Sequence, residues 1–118
     1  MNTIFIKGKN QHVFLSIGEE IIEKTYSGMS NNQCEWMAVI DALKYMSGLS
    51  LPETTIGMDS LLVYKQLNFI YHTKSPNIKP MYFQWNQLKN TLSGHSITYQ
   101  FMSGFQNPAR AKLQEAYP

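Results

Sequence analysis

Hydrophobic and polar positions alternate with a period of two at the start of the chain, then change to the 3.6-residue period of a helix. Residues 3–7 (Thr-Ile-Phe-Ile-Lys) predict a first strand, residues 11–17 a second built on Val13, Leu15 and Ile17, and residues 20–27 a third. Gly8-Lys9-Asn10 and Gly18-Glu19 carry turn chemistry between them, so the three strands predict an antiparallel meander. Trp36, Val39, Ile40 and Leu43 then recur at helical spacing and predict a helix over residues 32–47 with its apolar face on the sheet. Ser30-Asn31-Asn32 supplies capping residues for it. Glu35, three positions after Asn32, has the spacing of a capping box, and Gly48 is the expected stop.

Beyond the Pro52 loop, residues 54–58 predict a fourth strand. Asp59-Ser60 then caps a helix over residues 60–70 that offers Leu61, Leu62, Tyr64, Leu67 and Ile70 for burial. Ser75-Pro76-Asn77 breaks the chain before a helix over residues 77–93, with Met81, Trp85 and Leu88 on one face and Gly94 at its end. Residues 97–102 predict a fifth strand, and Asn107-Pro108 opens a short final helix with proline in its first turn. The order βββαβααβα predicts an α/β fold: a five-stranded mixed sheet with helices on its faces. With no internal repeat or linker, residues 1–118 are expected to form one domain.

Composition narrows the picture only slightly. Hydrophobic residues make up 43% of the 118, enough for a packed interior, and the single cysteine, Cys34, can form neither an intrachain disulfide nor a cysteine-rich zinc site. A cytoplasmic setting and a packing role for Cys34 are the expectations. Ten Lys/Arg against eight Asp/Glu leave a net charge of +2 without a basic run, which neither demands nor excludes a polyanionic partner. No apolar stretch is long enough to span a bilayer, so no membrane partner is expected.

Three segments carry a resemblance. Residues 30–43 read Ser-Asn-Asn-Gln-Cys-Glu-Trp-Met-Ala-Val-Ile-Asp-Ala-Leu, and residues 56–67 read Ile-Gly-Met-Asp-Ser-Leu-Leu-Val-Tyr-Lys-Gln-Leu. Residues 74–82 read Lys-Ser-Pro-Asn-Ile-Lys-Pro-Met-Tyr. In this order and separation they resemble the ribonuclease H family, whose corresponding segments run T-N-N-x-A-E-Y-x-A-L-I-x-A-L, v-x-S-D-S-q-L-V-v-n-Q-L and k-N-P-x-L-k-P-L-y. The resemblance implies the ribonuclease H-like fold. It also implies a site in which two Mg²⁺ ions, about 4 Å apart, clamp a scissile phosphate and activate a water. Mg²⁺ is hard and takes oxygen ligands, so such a site needs clustered carboxylates. By resemblance Glu35 and Asp59 fill two of the four acidic positions, as catalytic and metal-binding residues, and Asn32, Ser60, Lys74 and Lys79 are the substrate-binding candidates.

The other two acidic positions depart from the family. Where its first strand ends in Asp-Gly, this chain has Lys7-Gly8, and where its last helix carries N-x-x-A-D-x-L, residues 107–113 place Ala111 at the acid. Phe105 stands where many members have a loop histidine. Two carboxylates and a lysine imply weak metal binding or none, so no cofactor is expected, Mg²⁺ entering only if the chain is an enzyme. An inward lysine needs partners. Lys7 is therefore expected to bond to Asp59 with Glu35 nearby, the alternative being a solvated lysine at a strand end. Asp41, six residues after Glu35, lies on another helix face and is a poor substitute acid.

His12, His72 and His95 lack metal-ligand spacing. Trp36, Trp85 and Tyr82 are expected in the core, with Tyr82 and Phe83 the candidates for base stacking. The leading expectation is a ribonuclease H-like module that binds nucleic acid, such as an RNA–DNA hybrid, or a protein, without cutting. The alternatives are an active metal-dependent ribonuclease H and a structural or homodimeric subunit.

Overall fold

The computed structural model describes residues 2–49, 53–68 and 75–118. The elements follow the expected order: β1 (Asn2–Lys9), β2 (His12–Ile17), β3 (Glu20–Thr25), α1 (Asn31–Leu49), β4 (Glu53–Met58), α2 (Leu61–Leu67), α3 (Lys79–Thr91), β5 (Ser96–Phe101) and α4 (Pro108–Ala116), with a 3₁₀ turn at Gly104–Gln106 before α4. His72, Ile70 and Lys74 lie outside the described residues. Among the described residues no helix is long and apolar enough to cross a membrane.

The five strands form one sheet in the order β3-β2-β1-β4-β5. β1–β2 and β2–β3 are antiparallel, whereas β1–β4 and β4–β5 are parallel, so the sheet is mixed. The β1–β2 turn begins two residues beyond the expected glycine: Asn10 and Gln11 take positive φ values of 51° and 70°. Asparagine tolerates this conformation, and two successive positive φ values match the strand twist of a tight hairpin. Gly8 is instead paired inside the ladder with Val13.

Period-two alternation assigns the two faces of the sheet. Ile4 and Ile6 of β1, Val13 and Leu15 of β2 and Ile56 and Met58 of β4 are buried in one core with Trp36, Val39, Ile40 and Leu43 of α1 and with Met81 and Trp85 of α3. Phe5 and Phe14 point the other way, onto Ala109 and Leu113 of α4. β2 is thus apolar on both faces because it lies between α1 and α4. Cys34 is fully buried in the main core, and burial pushes its thiol pKa up.

Two local expectations are corrected. The capping box of α1 is formed by Ser30 and Gln33: the Gln33 N–H donates to Ser30 Oγ (3.2 Å), and the Ser30 N–H to Gln33 Oε1 (2.8 Å). Asn32 and Glu35 are therefore not the capping pair. Leu61 and Leu62 remain exposed, since α2 buries only Val63, Gln66 and Leu67. A seven-residue helix makes two turns and seats one narrow stripe.

Candidate functional site

The site is assembled where β1 and β4 end side by side. Their register pairs Phe5 with Gly57, so Lys7 and Asp59, each two residues further on, fall next to one another. Gly8 brings in the third group. A Cβ at Gly8 would collide with the backbone C and O of Cys34, so only glycine lets the first turn of α1 rest on β1. That contact places Glu35 over the strand end.

Lys7 holds the centre. Its Nζ donates to Asp59 Oδ1 at 2.7 Å and lies 2.7 Å from Glu35 Oε1. The three side chains are largely withdrawn from water, at 14% exposure for Lys7, 6% for Glu35 and 5% for Asp59. Asn107, the N-cap of α4, closes the back of the site. Its Nδ2 donates to Asp59 Oδ2 (3.1 Å) and to the Ile6 carbonyl (2.9 Å), while its Oδ1 accepts from the Ala109 N–H (3.0 Å). One side chain thus caps a helix, ties that helix to β1 and orients a carboxylate. Asn107→Ala is expected to cost about 2 kcal/mol, a lost cap plus an orphaned buried acceptor. Chemical denaturation would measure this, and a loss within about 0.5 kcal/mol of zero would refute it.

Burial and charge act in opposite directions on this cluster. Burial raises Glu35 to about 7, the nearby Lys7 charge and hydrogen bond only partly offsetting it. Burial alone would lower Lys7, but the Glu35 charge and the hydrogen bonds to both carboxylates reverse this, and its pKa is raised. The ammonium therefore stays charged while the Glu35 carboxylate is only marginally ionised at neutral pH. Glu35 Oε2 is buried without a hydrogen-bond partner, which further disfavours its anion.

In front of the triad opens a cleft of about 340 Å³ lined by Lys7, Lys9, Asn32, Glu35, Ser60 and Arg110, among others. Asn32 and Ser60 thus lie where a ligand would enter, Ser60 also capping α2 by accepting from the Val63 N–H (3.4 Å). Lys79 opens α3 and does not line the cleft. Ala111 is exposed on α4. Asp41 is committed elsewhere: it accepts from Tyr26 Oη (2.7 Å) and pairs with Lys24 (3.2 Å), pinning the edge strand β3 to α1.

The stacking and histidine candidates also serve structure. Tyr82 packs edge-on against Trp36, and the Trp85 indole N–H donates to Tyr99 Oη. Lys89 lies over the Trp85 ring, and His12 stacks on Tyr117. Phe83 is exposed on α3.

Comparison with known proteins bears on the fold. No protein-family model and no curated protein sequence matches the chain. Solved structures do. RNase H1 from the halophilic archaeon Halobacterium salinarum superposes with a TM-score of 0.81 at 21% identity, over 95% of this chain and 92% of that one. LC11-RNase H1, solved in complex with an RNA/DNA hybrid, gives a TM-score of 0.84 at 18% identity over 100% of both chains. The N-terminal RNase H domain of a Mycobacterium tuberculosis protein gives 0.74 at 19% identity, over 94% of this chain and 95% of that one.

The chain has the ribonuclease H fold.

The ribonuclease H resemblance implies a pair of divalent cations, and the donor set can be tested against that. Two carboxylates converge, one ammonium sits between them, and the remaining Asp59 oxygen takes a hydrogen bond from Asn107. Among the described residues no group of three His, Cys, Asp or Glu side chains could hold a metal ion. These residues do not fit a pair of divalent cations: the cation position is taken, and too few anionic oxygens remain to compensate the ions' charge.

Sequence reasoning missed three members of the site. Asn107 is legible as a helix cap and as the first residue of the segment resembling N-x-x-A-D, but neither reading places it against Asp59. Lys9 and Arg110 carried no local signal, since neither belongs to a basic run.

Proposed function

We propose that this chain is a ribonuclease H-like module that binds nucleic acid without cleaving it. One observation carries the reading: Lys7 Nζ lies 2.7 Å from a carboxylate oxygen of both Glu35 and Asp59. An internal ammonium stands between the carboxylates and compensates one negative charge of the pair, so the triad itself offers no net positive charge to a ligand. The ammonium cannot act as a Lewis acid toward phosphate, nor lower the pKa of a coordinated water. Nucleic acid is supported as the partner by Lys9 and Arg110 on the cleft lining and by the RNA/DNA hybrid bound to a structural neighbour.

The test is to incubate the intact chain with a labelled RNA/DNA hybrid in millimolar Mg²⁺ or Mn²⁺. The expected result is no cleavage above buffer, with salt-dependent binding in the range of about 1–100 µM. Metal-dependent cleavage abolished by Glu35→Gln and by Asp59→Asn would overturn the proposal.

A further inference from the structure

Beside the cleft lies a surface that no part of the triad uses. Between β5 and α4, the 3₁₀ turn presents Phe105 with its side chain wholly in solvent, at 100% exposure. Arg110, from the first turn of α4, folds back over this turn: its guanidinium fills the space that the missing side chain of Gly104 leaves free. Arg110 also lines the cleft together with Lys9. Among the described residues neither cation has a carboxylate within ion-pairing distance, whereas the Lys7 charge is already shared between two.

The rim of the cleft therefore carries two uncommitted cations and, on the turn that one of them covers, a bare aromatic ring. Cations recognise phosphate in any nucleic acid. An exposed ring adds something a continuous duplex cannot use, because its base faces are already stacked on each other. A single strand offers both a phosphate and a free base face at each nucleotide.

Resting on the nucleic-acid reading above, we propose that the preferred ligand is an unpaired strand, one base stacked on Phe105 and its adjoining phosphate held by Arg110 at the cleft mouth. Gly104 is then a positioning residue. It allows the guanidinium to lie across the turn that carries Phe105.

Fluorescence anisotropy on the intact chain tests this, with a labelled oligothymidylate of about 12 nucleotides beside an RNA/DNA hybrid of the same length. Phe105→Ala is expected to weaken single-strand binding at least about fivefold with the salt dependence unchanged. Arg110→Gln should reduce the logarithmic salt slope by about 0.7, the loss of one single-strand phosphate contact. Gly104→Ala displaces only the flexible end of Arg110, alters no charge, and should weaken binding comparably.

Lys44→Gln, at the exposed far half of α1, controls for net charge and should match the unaltered chain. Since Trp36 and Trp85 are buried, the Phe105→Trp variant should report stacking directly through quenched indole emission when oligothymidylate binds. If the hybrid binds while the single strand does not, or if Phe105→Ala leaves affinity intact, the strand proposal fails and the broader nucleic-acid reading stands. If the unaltered chain binds neither probe, both fail.

Discussion

Lys7→Met is expected to destabilise the fold by about 3–5 kcal/mol at pH 8, the cost of removing one partner from a buried ion pair. The methionine fills a similar volume, so the loss is electrostatic. The Asp59 and Glu35 side chains, 5% and 6% exposed, would face each other with no cation between them. Asn107 would still donate to Asp59 Oδ2, which compensates one oxygen of one carboxylate. Adding Glu35→Gln should return at least half of the loss, because a neutral amide no longer repels Asp59 and can donate to it. Urea denaturation at constant m-value measures each step. A penalty below about 1 kcal/mol would mean that Lys7 behaves as a solvated surface lysine.

The second large effect is on the pH dependence of stability. Burial pushes the folded-state pKa of Glu35 up from the ordinary 4.5 to about 7. Between these values the folded chain binds its proton more tightly than the unfolded chain does. Stability from this group is therefore fully present below pH 4.5 and is lost as pH rises through 7. The shift corresponds to about 3 kcal/mol. Lys7 acts in a separate window. Its pKa is raised above 10.5, so its contribution persists to that pH and disappears only beyond it. Glu35→Gln should remove the slope between pH 4.5 and 7, becoming more stable than the unaltered chain near pH 8. A stability difference between the two proteins that stays flat across this window would show that Glu35 titrates normally.

Both predictions arise from one arrangement: a sheet that ends two parallel strands together and a helix seated on a glycine. The same arrangement makes the site hard to read as a metal centre and easy to read as a cleft with a fixed internal charge. Asn107 links the site to the far end of the sequence, 101 residues from the Ile6 carbonyl that it binds. The last helix is thereby joined to the first strand and to Asp59 through a single amide.

Much of this was legible in the chain alone, because some constraints are local. The alternation in β1 and β2, the helical recurrence of Trp36, Val39, Ile40 and Leu43, and the Asn107-Pro108 start of α4 each depend on residues a few positions apart. Backbone periodicity converts such spacing directly into a face. The ribonuclease H-like fold, and the bond from Lys7 to Asp59 with Glu35 nearby, could likewise be read from ordered segments.

What tertiary structure decided concerns residues that meet only after folding. Phe14 is buried because α4 packs on the second sheet face, and Leu61 and Leu62 stay exposed because α2 is short. Gly8, which reads as a turn residue, instead admits a helix to a strand. Arg110 meets the Phe105 turn only through the space beside Gly104. Pairwise contacts across the chain leave no periodic trace, since spacing encodes the direction of a side chain from its own element and never the distance to another.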